Sequence, residues 1–388
     1  RALAFFGGGY GQKKGMVILT ENNNNLESFG WDDYFSGEFA TLEIPDTVPG
    51  RVVKIEKELC WVVTESGEYN ALLSGKFRYE ARGEAYPAIG DWLAVRPLPG
   101  EPKAIIHAVL RRRSKFSRQY SGGRQLADSG RTEEQIVAAN IDTVFLVNGL
   151  DGGRGFNARR IERYLAVARA SGAAPVIVLN KADICPDTDA FLRQVERAAY
   201  GIPTHIVSAV TGAGMDDLRR YLLRGKTAAF LGSSGVGKSA LINALLGEAR
   251  QATGEVRASD HEGRHTTTRR ELILIPGGGA VIDTPGMREI RVWGDEAGLD
   301  GAFQDISELA DNCRFKDCRH DSEPGCAVRE ALRAGELDVK HFKNYLQLQR
   351  ELRHLEARQD GKAALEEKMR WKQISRIQKK MKHERDDY

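Results

Sequence analysis

Short apolar runs separated by glycine and proline mark the chain over residues 50–117. Such runs with regular turn signals are typical of β-strands. The pattern predicts about five strands, over residues 51–55, 60–64, 69–73, 91–95 and 104–109. Five short strands fit a small barrel, of which the five-stranded oligonucleotide-binding (OB) barrel is one type. Another kind of small β domain would give a similar pattern, so the barrel is one of two open interpretations.

From residue 136 the apolar runs lengthen and alternate with helical spacing. Near-continuous apolar runs are typical of strands buried on both faces, and they occur over residues 143–147, 176–179, 205–207, 227–231 and 281–282. Residues 159–170 and 240–246 have the spacing of amphipathic helices. We therefore expect an open parallel sheet, with its ligand-binding loops at the carboxyl ends of the strands.

Five segments are expected along the chain. They are a leader over residues 1–45 that is largely disordered at its start, the barrel over 46–117, a linker over 118–135, the α/β domain over 136–298, and a mainly helical domain with a basic tail over 299–388. The tail and the basic residues 111–115 favour a polyanionic partner. Solvated charged surfaces would give the same sequence pattern.

Composition narrows the class of protein. The chain has 388 residues, 41% hydrophobic and 29% charged, with a net charge of +3, as expected for a soluble protein of two or three domains. No apolar run approaches the roughly 20 residues that a membrane-spanning helix needs. The start of the chain also lacks the ordered regions of a secretory signal. A cytoplasmic protein is therefore expected.

Residues 232–239 follow the pattern G-x-x-x-x-G-K-[ST], in which backbone N–H groups wrap around phosphates. A buried strand is predicted before this loop and a helix after it, which is the context that such a loop requires. Lys238 would place its charge at the β- and γ-phosphate oxygens, and Ser239 would be a Mg²⁺ ligand. The predicted nucleotide-binding residues here are Gly232, Ser233, Ser234, Gly235, Val236, Gly237, Lys238, Ser239 and Ala240.

A second motif, Asp283-Thr284-Pro285-Gly286, follows another predicted strand. Asp283 would supply a carboxylate linked to Mg²⁺, and Gly286 would sense the γ-phosphate. By itself this tetrapeptide is weak evidence, because Asp and Pro-Gly are also common in ordinary turns. Between the two motifs lie three threonines whose hydroxyls could reach Mg²⁺, and Thr267 and Thr268 are the candidates. The pattern does not decide between them.

A third motif, Asn180-Lys181-Ala182-Asp183, has the form N-K-x-D at the end of a predicted strand, and its Asn and Asp can read the edge of a guanine base. A carboxylate such as that of Asp183 can accept two hydrogen bonds from guanine, which adenine cannot offer. The resulting discrimination is on the order of 10⁴-fold. Lys181 would pack its stem along the base plane, and Ser208-Ala209 fits the companion loop at the guanine carbonyl. GTP is therefore the predicted nucleotide.

A cluster of sulfur and nitrogen ligands follows these motifs, at Cys313, Cys318, His320 and Cys326. Three thiolates and one imidazole form a closed tetrahedral set for a structural zinc ion, with no position left for a catalytic water. Reduced thiols without a metal are the alternative. The odd total of five cysteines also indicates metal binding more than a disulfide framework.

The order of the motifs is inverted relative to ordinary GTPases, in which the phosphate loop precedes the base-reading loop. With a barrel before and a Cys/His cluster after, the chain resembles the RsgA (YjeQ) family of circularly permuted, small-ribosomal-subunit-dependent GTPases. The likeness covers residues 26–349, including 135–142 and 156–164. It implies three domains: an OB-type barrel, a permuted α/β P-loop GTPase domain and a zinc-binding, mainly helical domain. The spacing of the zinc cluster also matches that of the family.

The resemblance further implies late assembly or checking of the 30S subunit, contact with its 16S rRNA, and a slow GTPase that the ribosome stimulates. A monomer is expected. Met287 stands directly after Gly286, where many GTPases have the glutamine that orients water, so low intrinsic turnover is predicted. His265 is the candidate for the missing group, as the resemblance also suggests, although a solvated loop histidine is the alternative. Gly235 replaces the asparagine that holds K⁺ in some permuted GTPases, so that mechanism lacks its ligand.

Two other functions stay open at this point. The first is a zinc-and-barrel RNA-binding protein with a vestigial nucleotide site, against which intact Lys238, Ser239 and Asp283 argue. The second is a GTP-regulated factor that acts on a non-ribosomal partner. The segment after Gly286 also leads directly into the predicted zinc domain. We therefore expect loss of the γ-phosphate to move that domain.

Overall fold

The computed structural model describes residues 25–56, 59–75, 77, 85–121, 132–151, 155–199, 201–247, 270–283 and 296–353. Among the described residues, no helix combines the length and hydrophobicity needed to cross a bilayer.

The predicted five-stranded barrel is confirmed. Its strands are β1 (Val48–Glu56), β2 (Leu59–Thr64), β3 (Gly67–Leu73), β4 (Trp92–Pro97) and β5 (Lys103–Val109). Strand β1 pairs with both β2 and β4, and the path β2–β3–β5–β4 closes the barrel, with β3 and β5 parallel. Every second residue points inward, so Val52, Val62 and Ile106 fill the interior with side chains that are 0% exposed.

A two-stranded hairpin follows the barrel. Strand β6 (Lys115–Ser121) pairs antiparallel with β7 (Thr132–Ala139), and both strands include ends of the segment expected to be a linker. The sequence pattern did not predict these strands, because most of their residues are polar, charged or small. The hairpin is therefore recognised from its backbone hydrogen bonds, and not from a regular spacing of hydrophobic residues.

The α/β domain contains the expected open sheet, in the order β10-β9-β8-β11-β13-β12. Strands β10, β9, β8, β11 and β13 run parallel to one another, whereas β12 is antiparallel to β13. The bounds are β8 (Thr143–Gly149), β9 (Ala174–Asn180), β10 (Thr204–Ile206), β11 (Thr227–Leu231), β12 (Arg270–Leu274) and β13 (Ala280–Asp283). Strand β12 was not predicted, and it also pairs with β1, so one continuous sheet joins the barrel to the α/β domain.

The described helices flank this sheet and form most of the C-terminal region. They are α1 (Asp33–Ala40), α2 (Ala158–Ser171), α3 (Thr188–Ala198), α4 (Met215–Arg219), α5 (Lys238–Leu246), α6 (Glu296–Ala302), α7 (Gln304–Ala310), α8 (Ala327–Ala334) and α9 (339–353). Helix α2 begins where the Asn157 side chain accepts from the Arg160 N–H, and it ends at Gly172, whose φ is 83°.

A buried arginine connects the barrel, the N-terminal segment and the α/β domain. Arg51 on β1 is 1% exposed and donates from Nη1 to the Phe29 carbonyl at 2.5 Å and from Nη2 to the Asn140 carbonyl at 3.1 Å. Its guanidinium lies 5.2 Å from the Trp92 ring centroid. Burial lowers the pKa of Arg51 to about 10, so it stays charged at neutral pH.

Candidate nucleotide site and metal centre

The polar loops converge at one edge of the sheet. The phosphate loop follows β11, the N-K-x-D motif follows β9, and Ser208 follows β10. Parallel pairing of β10 with β9, β9 with β8, and β8 with β11 brings these carboxyl ends together. Strand β13 pairs with β11 in the same direction and ends at Asp283. The structure thus assembles loops that are far apart in the sequence.

Asn180 ties three of these loops together. Its side chain is buried, its Nδ2 donates to the Val236 carbonyl in the phosphate loop at 2.9 Å, and its Oδ1 accepts from the Ala209 N–H at 3.1 Å. The prediction grouped Asn180 with Asp183 as a reader of the base edge. In the structure its amide joins the base-reading loop to the phosphate loop and the Ser208-Ala209 loop, and its contact with the base stays a prediction.

Asp183 is oriented by its companion loop. The Ser208 hydroxyl donates to Asp183 Oδ1 at 2.6 Å, and the Ala182 N–H donates to the Val207 carbonyl at 3.1 Å. The hydroxyl fixes one carboxylate oxygen and thereby sets the direction of the other. A carboxylate held in this way is suited to accept two hydrogen bonds from a guanine edge.

Lys181 has a partner that the sequence analysis missed. Its backbone is left-handed, with φ 71°, and its Nζ lies 2.5 Å from Asp151 Oδ2. The hydrogen bond from Lys181 keeps the pKa of Asp151 below its ordinary value. Asp151 stands just after β8, at the same sheet edge, and that position was the available signal. This ion pair fixes the position of the Lys181 ammonium group beside the end of β8.

The phosphate loop approaches its neighbours too closely for side chains at two glycines. A Cβ at Gly237, where φ is 95°, would lie 2.2 Å from Asn180 Nδ2, and a Cβ at Gly232 would lie 2.5 Å from the Val147 carbonyl oxygen. Lys238 begins α5 and donates from Nζ to the carbonyls of Gly232 and Ser233, at 2.8 Å each. The Lys238 side chain thus lies across the phosphate loop that precedes it and binds its first two residues.

Arg160 is a second residue that the motifs did not reveal. From the first turn of α2 its Nη1 donates to Ser233 Oγ in the phosphate loop at 2.9 Å. The two residues are 73 positions apart, so no local spacing could have signalled this contact.

Several predicted residues lie outside the described residues. They are His265, Thr266, Thr267, Thr268, Gly286 and Met287. Their catalytic and Mg²⁺-binding roles stay predictions. Of the predicted Mg²⁺ ligands, Ser239 lies in the first turn of α5 and Asp283 ends β13.

The four predicted metal ligands converge in the C-terminal region. The ligand atoms of Cys313, Cys318, His320 and Cys326 all lie within 4.8 Å of one another. Cys326 Sγ is 3.4 Å from His320 Nδ1 and 3.9 Å from Cys313 Sγ. Bonds of about 2.0–2.3 Å around a tetrahedral zinc ion require ligand atoms at about this spacing. The donor set and its geometry therefore fit zinc.

Two arginines of the basic run 111–115 are used within the fold. Arg112 binds both carboxylate oxygens of Asp91 at 2.7 Å, and Arg113 binds both oxygens of Asp32 at 2.6 and 2.7 Å. Asp32 also caps α1, so the second pair attaches the N-terminal segment to the end of the barrel. Arg111 is exposed. Much of this run is thus structural.

The sequence matches a known protein family and several of its members. The RsgA GTPase family model matches residues 109–293. The small ribosomal subunit biogenesis GTPase RsgA of Opitutus terrae is 48% identical over 359 residues, which cover 90% of this chain and 95% of that protein. The protein of the same name from Syntrophotalea carbinolica is 40% identical over 364 residues, which cover 94% and 99%.

Solved structures show the same fold. The crystal structure of YjeQ from Thermotoga maritima matches with a TM-score of 0.58 at 28% identity, covering 79% of this chain and 99% of that one. YloQ, described as a circularly permuted GTPase, matches in fold with a TM-score of 0.56 at 22% identity, covering 80% and 97%. Together with the identity to its relatives over nearly their whole length, this shows that the protein belongs to the RsgA family and is a circularly permuted GTPase.

Proposed function

We propose that this GTPase acts late in the assembly of the 30S ribosomal subunit. Its relatives are named small ribosomal subunit biogenesis GTPases, and two of them match 90% and 94% of this chain. The observation that supports a functional nucleotide site is the pair of hydrogen bonds made by the Asn180 side chain. They bring the base-reading loop and the phosphate loop together in one site. No feature of the described residues favours a vestigial nucleotide site.

The nucleotide contacts proposed follow from the loop positions. Asp183, oriented by Ser208, reads the guanine edge, and Lys181 covers the base with its stem. The phosphate loop surrounds the β- and γ-phosphates with N–H groups, and Lys238 adds a positive charge there. The positive end of α5 points at the same phosphates.

Two metal ions are proposed. Ser239 and Asp283, with Thr267 or Thr268, would hold Mg²⁺, which when bound neutralises phosphate charge. Gly286 would sense the γ-phosphate through its backbone. The cluster formed by the three cysteines and His320 would hold one structural zinc ion. This set requires reduced thiols, which supports a cytoplasmic location.

His265 is proposed as the residue that orients or activates the attacking water, since Met287 has no strong hydrogen-bonding group. The test is His265→Ala, with His261→Ala as a control in the same segment. We expect His265→Ala to lower stimulated GTP turnover by about 100-fold or more, while GTP affinity is kept. Full turnover in His265→Ala would remove His265 from the mechanism.

RNA contact is proposed for the barrel, over residues 46–117, and for the basic end of the tail within 299–388. The protein would contact 16S rRNA as a monomer, through residues 362–385 and the outer face of the barrel. The GTPase domain, over residues 136–298, would report the nucleotide state to both regions.

The test of this function measures GTP turnover with 30S subunits, 50S subunits or free RNA, at one stated salt concentration. We expect stimulation by 30S subunits, tighter 30S binding with a GTP analogue than with GDP, and neither effect with 50S subunits. Lys238→Ala serves as the variant without turnover. Equal responses to the 30S and 50S subunits would refute the proposed partner and leave the GTPase assignment intact.

A further inference from the structure

Helix α2 contacts both the phosphate loop and the C-terminal region. Its first two turns carry Arg160, Glu162 and Arg163, whose side chains reach different parts of the molecule. The helix packs on β8 and β9 of the sheet and on α6, so it connects the phosphate loop with helices of the C-terminal region.

At the phosphate loop the contact is specific. Arg160 is half-buried and donates to Ser233 Oγ at 2.9 Å, while the carbonyl of the same serine accepts from Lys238 Nζ at 2.8 Å. Hydrogen bonds from charged donors are among the stronger ones in proteins. Ser233 is therefore held from outside the loop by α2 and from inside by the phosphate-binding lysine.

The same N-terminal turns of α2 are also bound to α9, mainly through buried polar groups. Glu162, whose side chain is 4% exposed, accepts from His341 Nδ1 at 2.7 Å and also from Asn344 Nδ2. Asp305 on α7 contacts His341 Nε2 at 3.2 Å. Arg163 adds two hydrogen bonds to Glu351, at 2.9 Å each. Helix α9 is thus attached to α2 along several of its turns.

The body of α2 is packed well enough to transmit a displacement. Ile161, Leu165 and Ala168 are 0–1% exposed within the main hydrophobic core. Closely packed helices move as units, because their interfaces allow a few discrete arrangements instead of continuous deformation. A shift of α9 would therefore reach Arg160 through α2.

We propose that Arg160 is a positioning residue that couples the phosphate loop to helix α9 through α2. When the loop closes on a γ-phosphate, Ser233 and Arg160 shift together, and α2 carries that change to Glu162 and α9. This connection differs from the route through the segment after Gly286, because it is built from side-chain contacts of α2.

The test compares hydrogen exchange in residues 339–353 of the full-length, zinc-loaded chain with a non-hydrolysable GTP analogue and with GDP. We expect a nucleotide-dependent difference in the native protein, its loss in Arg160→Ala and in Ser233→Ala, and at least partial recovery in Arg160→Lys. Ser233→Ala removes the acceptor of the same hydrogen bond and leaves Arg160 in place. The same loss in both variants would therefore not be explained by misfolding of the Arg160→Ala protein.

Arg159→Ala is the matched control. Arg159 is exposed, and within the described part of the chain its side chain makes no hydrogen bond or ion pair. The control removes the same charge from the neighbouring position and should behave like the native protein. A native protein without any nucleotide-dependent difference, or an Arg160→Ala protein that keeps it, would overturn the proposal.

A reciprocal measurement uses affinity. If α9 and the phosphate loop are coupled, His341→Gln must change the Kd of the GTP analogue, and the change must disappear in the Arg160→Ala background. Simple additivity of the two substitutions would contradict the coupling. Neither experiment contains ribosomal subunits, so their outcome is independent of the proposed 30S partner.

Discussion

His341 is expected to make the stability of the C-terminal region depend on pH above neutrality. The ring is 6% exposed and lies between Glu162 and Asp305, with ring nitrogen to carboxylate oxygen distances of 2.7 and 3.2 Å. Burial by itself lowers the pKa of His341. Hydrogen bonds to the two carboxylates and their negative charges outweigh this effect and raise the pKa to about 9.

The size and sign of the effect follow from linkage. The difference between the ordinary pKa of 6.5 and about 9 corresponds to about 3 kcal/mol. This is an upper value, because the Asp305 side chain is 50% exposed and water screens its charge. Since folding raises the pKa, the stabilisation is complete below about pH 6.5 and is lost as the pH rises through about 9.

The assay is urea denaturation of the native protein and His341→Gln at several pH values from about 6 to about 10. Glutamine keeps hydrogen-bonding capacity but cannot carry the charge. We expect the native protein to be more stable than the variant by about 2–3 kcal/mol at the acidic end, and this advantage to shrink as the pH rises.

The control is His205→Gln, because His205 Nε2 lies 2.9 Å from the hydroxyl oxygen of Tyr221 instead of a carboxylate. Its stability difference from the native protein should not follow the same pH course. A native-to-His341→Gln difference that stays constant over the whole range would refute the reasoning, because it would show that His341 is uncharged in the folded state.

Three further predictions concern the nucleotide and metal sites. Gly237→Ala should abolish GTP binding measurable by calorimetry, because the added Cβ would lie 2.2 Å from Asn180 Nδ2. Gly247 also has a positive φ but has open space around it, so the Gly247→Ala protein should bind GTP normally. Asp183→Asn should weaken GTP binding at least about 100-fold and improve binding of a xanthine nucleotide, whose edge offers an acceptor in place of the amine; unchanged guanine preference would contradict the role of Asp183. Cys318→Ser should lose zinc in a metal assay and destabilise the C-terminal region by several kcal/mol, while a full zinc content would exclude this cysteine as a ligand.

The barrel and the α/β sheet were predictable because their strands carry strong local patterns. The apolar residues of β1 to β5 form short runs bounded by turn residues, and those of β8, β9 and β11 form continuous buried runs. Strands β6 and β7 were missed because they are largely polar. Strand β12 was missed because it is defined by its pairing with β1 and β13, which the sequence pattern does not reveal.

By itself, the sequence predicted which chemistry each loop carries, because phosphate, guanine and zinc each require particular residue types at short, fixed spacing. It could not determine that the buried amide of Asn180 would link three loops, or that Arg51 would join the barrel to its neighbour. It also could not show that Arg160 would reach Ser233, or that Glu162 would meet His341 179 positions away. Such contacts depend on where packed helices and strands bring distant side chains, and packing leaves no signature in the spacing of residues along the chain.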